Sequence, residues 1–386
     1  MIRIALKMLL GDSAKFCMLV AGLVFATFLM AQQISVFCGL MLWTTSTLKN
    51  VPAPLWVVES RVEQINETIP ILDTDVARVR SVDSVAWAAP FFSSLIRVRL
   101  PDGHFKIVLL VGIETTSFAG APARLLEGRI EDLRLPNAVI IDQLAQQRLS
   151  QTKGGKVQIG DVFEMNDHEA RVVGIAQTVE SFTGAPFIWT TYERSMQYSP
   201  MQRKMLSAVM AAPRPGISDA QCAADITKET GLRAFLNRGY GNGANDFNEA
   251  TMWWYVRNTG IPFSFGVTVA IGLIVGIAIS CQTFYSFVLD HLRYLGALKA
   301  MGTSNFKLCL MLVCQSFTVG IIGYGIGMFF TARFGFNALK YGKPPFHMPE
   351  MIPPAVLGVI LLICLLASLL GIWRVARLEP AAVFRG

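Results

Sequence analysis

Charge is absent from four long stretches of this sequence. Phe16–Trp43, Ile261–Leu289, Leu308–Ala332 and Ile352–Trp373 contain no Lys, Arg, Asp or Glu. Each is long enough to cross a bilayer core of about 30 Å, which takes roughly 20 helical residues. The same absence disfavours an ion-coupled carrier, because buried ionisable side chains normally mark an ion or proton path. Other absences narrow the chemistry. Lys153-Gly154-Gly155-Lys156 lacks the spacing and the following Ser/Thr of a phosphate loop and reads as a turn. His104, His168, His291 and His347 have no ligand-like spacing, so no metal is expected. There is no Gly-x-Ser-x-Gly elbow and no Cys-x-x-Cys pair. Asp73/Asp75 and Glu131/Asp132 read as solvated loop and helix-start carboxylates. The chain is therefore read as non-catalytic, with no cofactor of its own. Only Cys222 lies outside the apolar stretches and their ends, so the block between the first and second stretches cannot close an internal disulfide.

The composition that remains is that of a membrane protein: 53% hydrophobic, 16% charged, mean hydropathy +0.46. Soluble domains average about 25% charged residues. The net charge of +7 does not point to nucleic acid, because much of it flanks the spans. Arg3, Lys7 and Lys15 precede the first; Arg293, Lys299 and Lys307 separate the second and third; Arg374, Arg377 and Arg385 follow the fourth. The positive-inside rule places all three groups, and both termini, in the cytoplasm. Thr44–Gly260 and the short loop Arg333–Met351 are then external. The first span is too long for a signal-peptide core, and Leu29-Met30-Ala31 is a poor cleavage site. At about 28 residues, or roughly 42 Å, it is also longer than the membrane needs, which predicts a tilt or a stalk; the second span is similarly long. Met1–Lys15 reads as a cytoplasmic amphipathic helix, with Ile2, Leu6, Leu9 and Leu10 on its apolar stripe, or as a simple basic flank.

Within the external block, helix and strand signals alternate. Strands are expected at Leu55–Glu63, Lys106–Ile113, Ala138–Asp142 and Leu206–Ala211, a strand pair at Val85–Leu100, and a small β unit over Lys156–Val162, Glu164–Met165 and Ala170–Ala176. Helices are expected at Thr74–Val82, after Asp142 to Leu149, and at Ser218–Glu229 with Ser218 as N-cap. This is an α+β domain, with a β-rich lobe over about Ala119–Pro200 inserted into a β-α-β frame. Gly239–Asn248 reads as a loop, and Trp253, Trp254 and Tyr255 as an aromatic belt leading into the second span. Gly272-x-x-x-Gly276 and Gly323-x-x-x-Gly327 permit close helix contacts, or reflect ordinary glycine enrichment in membrane helices.

The most specific stretch lies between the second and third spans, over residues 290–307. Asp290–Ser304 reads as a short basic helix that Gly302 terminates, with Thr303 or Ser304 capping the next span. Leu295-Gly296-Ala297-Leu298-Lys299-Ala300-Met301-Gly302-Thr303-Ser304 resembles the coupling segment of MacB/FtsX-type (type VII) ABC-transporter permeases. Arg377-Leu378-Glu379-Pro380-Ala381-Ala382-Val383-Phe384-Arg385 resembles their C-terminal signature. Leu55-Trp56-Val57-Val58, Leu100-Pro101-Asp102-Gly103 and Arg257-Asn258-Thr259-Gly260-Ile261-Pro262 are similar to the DevC-like subgroup. Tyr294 departs from the pattern, since many members carry Glu there.

The resemblance covers nearly the whole chain. It implies an α-helical membrane protein of the bacterial inner membrane, with four transmembrane helices and a large α+β periplasmic domain between the first and second. It implies a homodimer driven by a separate ATPase subunit of the LolD/MacB type that binds the ATP. DevC-like members also imply a HlyD-type periplasmic adaptor and an outer-membrane channel. The implied mechanism is mechanotransmission from the ATPase to the periplasm, driving export of a lipid, peptide or small molecule. The ATPase-coupling residues would be Arg293, Leu295, Gly296, Leu298, Lys299, Ala300, Met301 and Gly302. Lipoprotein release, as in LolC/LolE, and regulation of a cell-wall hydrolase, as in FtsX, are alternative tasks for the same fold.

Overall fold

The computed structural model describes residues 2–100, 102–150, 155–200, 205–239 and 245–376; the Arg377–Arg385 signature lies outside them. The chain divides into two compact units, Met1–Leu40 with Gly260–Gly386, and Met41–Thr259. The helices in chain order are α1 Ile2–Gly11, α2 Ser13–Thr44, α3 Ser46–Asn50, α4 Thr74–Arg80, α5 Gln143–Arg148 and α6 Tyr192–Tyr198. They continue with α7 Asp219–Thr230, α8 Phe247–Asn258, α9 Ile261–Asp290, α10 Leu292–Ala300, α11 Asn305–Tyr341 and α12 Ile352–Ala376. The strands are β1 Leu55–Val58, β2 Val85–Arg99, β3 Phe105–Ile113, β4 Leu125–Gly128 and β5 Ala138–Asp142. They continue with β6 Val162–Met165, β7 His168–Ala176, β8 Phe187–Thr191, β9 Ala208–Pro213 and β10 Arg233–Leu236.

Among the described residues, α2, α9, α11 and α12 are the helices long and apolar enough to span a membrane. With no charge to pair, such helices gain contact by bringing backbones together at small residues. Both glycine motifs do this against α2. A Cβ at Gly327 would stand 2.6 Å from Thr27 Cβ and 3.0 Å from the Val24 carbonyl oxygen. At Gly323 it would meet Leu23 Cβ at 2.7 Å, and at Gly276 it would meet Ala26 Cβ at 2.7 Å. Leu23, Ala26, Met30, Phe284, Ile360 and Ile363 form part of the core between the spans.

Two expectations about this unit change. Arg333, Lys340 and their neighbours end the apolar run but not the helix, since charged residues are compatible with helix outside the bilayer. α11 continues to Tyr341 and stops where Gly342 takes φ +71°, so the connecting loop shortens to 342–351. The N-terminal helix ends at Gly11; the Asp12 carboxylate then accepts from the Lys15 backbone N–H at 3.2 Å and starts α2. Of the expected stripe, Leu9 is buried in the unit and Leu10 is exposed, while the side chains of Ile2 and Leu6 lie outside the described ones. The two connections to the inserted unit also differ. α2 is uninterrupted to Thr44, whereas α8 and α9 are separate helices because Thr259 is extended (φ −120°, ψ 155°).

In the inserted unit, β1-α4-β2 and β9-α7-β10 interleave. The sheet order is β10-β1-β9-β2 with every pairing antiparallel, a ferredoxin-like arrangement. β1 is buried at every residue, and Trp56 packs edge-on against Phe91 at 4.7 Å. Ser218 caps α7, its hydroxyl accepting from the Gln221 N–H at 3.3 Å.

Val85–Leu100, expected as a strand pair, is one strand of 15 residues that changes partner half-way. Val85–Phe91 pairs with β9, while Phe92–Arg99 pairs with β3. No turn residue with positive φ interrupts it, and Pro90 is compatible with an extended backbone. The second half opens another lobe, whose pairings β2-β3-β8-β5-β7-β6-β2 close on themselves. The strand segments of this ring lie between Phe92 in β2 and Thr191 in β8, so its pairings begin ahead of Ala119. Among the described residues of the expected 156–162 strand, only Val162 is in one; Gly160 turns at φ +100°.

Candidate functional site

The short helix between the second and third spans is built as a stop, a helix and a stop. α9 ends at Asp290, and the C-cap His291 has its Nδ1 2.9 Å from the Phe287 carbonyl oxygen and its ring 4.3 Å from that of Phe287. α10 then runs Leu292–Ala300. Gly302 has φ +91°; its N–H donates to Lys299 O at 3.0 Å, and the Thr303 N–H reaches back to Leu298 O at 3.1 Å. These two bonds form a Schellman stop, which satisfies carbonyls the helix end would otherwise leave bare. Ser304 then takes the N-cap position of α11 (φ −67°, ψ 150°), but its side chain makes no cap hydrogen bond. The stop therefore rests on Gly302 rather than on a hydroxyl cap.

The eight candidate residues divide by face. Leu295 and Gly296 are buried, and Leu298 packs on the core of the membrane unit, so these three anchor the helix. Lys299 is half-buried. Arg293, Ala300, Met301 and Gly302 are exposed and form the available surface. Tyr294 is 65% exposed, and Met301 is 74% exposed. The exposed face thus joins a cation to two large apolar side chains.

Two features were not anticipated. Phe306, in the first turn of α11, is 76% exposed; its sequence signal is an aromatic residue two positions after the cap, ahead of Lys307. Lys15 also bridges Asp12 and Asp290, tying the start of α2 to the end of α9. Neither acid lies inside an apolar run, which is why the spans gave no hint of the bridge. Among the described residues, no cluster of three or more His, Cys, Asp or Glu could hold a metal ion.

The MacB-like periplasmic core domain model matches residues 18–229, and the FtsX-like permease C-terminal model matches residues 266–380. The chain belongs to the MacB/FtsX family of ABC-transporter permeases. It is a multi-pass membrane subunit whose periplasmic α+β domain sits between the first and second spans, and the family works with a partner ATPase. No curated protein sequence matches the chain.

Three solved domains are similar in fold. The extracellular domain of the noncanonic ABC-type transporter YknZ from Gram-positive bacteria is 14% identical, with TM-score 0.34, over 48% of this chain and 99% of that one. The periplasmic region of MacB from Actinobacillus actinomycetemcomitans is 12% identical, with TM-score 0.38, over 57% and 98%. A domain of a permease protein from Porphyromonas gingivalis is 13% identical, with TM-score 0.32, over 53% and 98%.

Proposed function

We propose that α10 is the docking point for a separate cytoplasmic ABC ATPase and that this chain is the non-catalytic permease of an exporter. The carrying observation is the exposed face of Arg293, Tyr294, Ala300 and Met301 on a helix stopped at both ends. A short helix held this way moves as a body, so a push on it reaches the helices it joins. α2, continuous through Thr44, is the better lever, because α9 is separated from α8 by extended Thr259.

In this reading the termini and residues 290–307 are cytoplasmic, as their basic flanks require. Two copies pair around the spans, membrane lipids surround them, and a HlyD-type adaptor with an outer-membrane channel completes a tripartite pump of the DevC-like kind. The substrate is a lipid, peptide or small molecule that need not pass between the four helices.

Copurification of the ATPase with tagged full-length chain tests the docking. Arg293→Glu and Met301→Asp should each lower ATPase recovery, while Ser304→Ala, which removes no cap hydrogen bond, should not. Equal recovery in all three would remove α10 from the interface. Recovery of a cell-wall hydrolase or a lipoprotein chaperone, in place of an adaptor, would assign the FtsX-like or LolC/LolE-like task instead.

A further inference from the structure

The outer edge of β2 is paired at both ends and open in the middle. β9 follows it as far as Phe91, and β6 joins at Val98 and Arg99. At Ser93 the edge is closed by a side chain: the Ser207 hydroxyl accepts from the Ser93 N–H at 3.0 Å and donates to its carbonyl at 3.2 Å. Backbone groups of a strand point to alternate edges, so Leu95 and Arg97 present theirs on the same side as Ser93. No described strand pairs with that edge between Phe91 and Val98. Leu95 and Arg97 thus offer two N–H donors and two carbonyl acceptors in a row.

The open edge borders a cavity of about 420 Å³. Phe92, Ser93, Ser94 and Leu95 contribute to its wall as four consecutive residues, with Leu109 beside Leu95 across the ladder and Phe182 also lining it. Among the described residues the lining is neutral: hydroxyls, one amide and apolar side chains. Just past it stands Arg97, exposed and in no ion pair among the described residues.

From these observations we infer that the open edge of β2 receives an extended segment of another polypeptide as an added strand. Main-chain bonds to Leu95 and Arg97 set its register. The cavity takes a neutral apolar or hydroxyl side chain, and Arg97 selects an acidic residue next to it. An extended peptide satisfies all three features at once, since strand addition draws affinity from the backbone and specificity from alternate side chains. A free ion or a sugar would leave the four edge groups unused. The inference stands apart from docking at α10.

The full-length chain in phosphatidylcholine nanodiscs, with residue-resolved hydrogen exchange, provides the test. The probe is a fluorescein-labelled octapeptide of alternating valine and threonine with one aspartate. Without peptide, the Leu95 and Arg97 amides should exchange at least about tenfold faster than those of Ser94 and Ile96, which face β3. Peptide should slow the first pair and leave the second unchanged.

Leu95→Pro removes the N–H facing the edge and spares the β2–β3 ladder, so it should weaken binding about tenfold or more. Leu95→Ala keeps that N–H and should bind more tightly than Leu95→Pro at equal thermal stability. Arg97→Glu should lose the preference for the aspartate peptide over its asparagine counterpart. Slow exchange at Leu95 and Arg97 in the free chain, or equal binding by Leu95→Pro and Leu95→Ala, would overturn the proposal. Protection that grows with protein concentration and ignores peptide would give the edge to a second copy, and would overturn it too.

Discussion

In the membrane unit, α11 lies so close to α2 that a Cβ at Gly327 would press on the Val24 carbonyl at 3.0 Å. In the periplasmic unit, a charged group is wholly buried instead. The Asp142 carboxylate accepts from the Ala145 N–H at 2.6 Å, the Phe187 N–H at 2.9 Å and the Thr178 hydroxyl at 3.1 Å. Burial pushes its pKa up to about 6, against the pull of those three donors. The contrast follows from solvent. Surrounded by lipid, helices gain nothing from apolar surface alone and are held by close contact, so added volume should break them. Surrounded by water, a sheet domain can keep a carboxyl group inside provided its oxygens find donors. Burial makes that group hold a proton more tightly, so losing the proton as pH rises should destabilise the domain.

The largest break should come from Gly327→Leu. The new side chain meets backbone as well as Thr27, so its cost should fall at the upper end of the range of about 1–3 kcal/mol typical of overpacking. The full-length chain should lose its sharp size-exclusion peak after mild heating in detergent. Gly266→Leu, on α9 with no atom within 4 Å of its Cβ, should behave as wild type. Equal behaviour of the two would remove the close-contact account of the membrane unit.

Asp142 should give the next largest effect, and it sharpens the contrast because it responds to pH. An unfolded Asp titrates near 3.9. With the folded value raised to about 6, the fold holds the proton more tightly between those two values. The stability this contributes is complete below about pH 4 and is lost as pH rises through 6. It amounts to roughly 3 kcal/mol. Periplasmic-domain melting, followed in the full chain, should fall from pH 4.5 to 7. Asp142→Asn should lower the transition, since an amide cannot accept from both sides, and should flatten that slope. An unchanged slope would place the titration elsewhere.

Gly302→Ala should have the smallest effect on stability, about 1 kcal/mol, because its Cβ meets no atom and only the positive φ resists it. Its effect on ATPase recovery should exceed its effect on melting, since the strain falls on the α10 stop. A melting loss with normal recovery would separate that stop from docking.

The membrane unit was the more legible of the two, and for the same physical reason. Lipid excludes charge so strongly that four charge-free runs announce four spans; the far end of α11 runs past its run because helix outlasts apolarity there, and the N-terminal helix stops at Gly11, short of the expected Lys15. Gly302 was readable because positive φ at a helix end has few alternatives to glycine. In the periplasmic domain, β1, β3, β5 and α7 were visible from local pattern. The closure of the second lobe was not, since it depends on β2 changing partner at Phe91–Phe92 and on β8, a buried Phe187–Thr191 run that alternation rules pass over. At α10 the helix and its stop were legible, while the split between anchoring Leu295 and exposed Met301 needed the packed neighbours.

The most direct test of the account is a photo-cross-linking residue placed at Met301 in the full-length chain in cells, with adducts identified by mass spectrometry. The account predicts an adduct with an ABC ATPase subunit from position 301 and none from position 339, an exposed residue at the other end of α11. No ATPase adduct at 301, or the same adduct at 339, would contradict it.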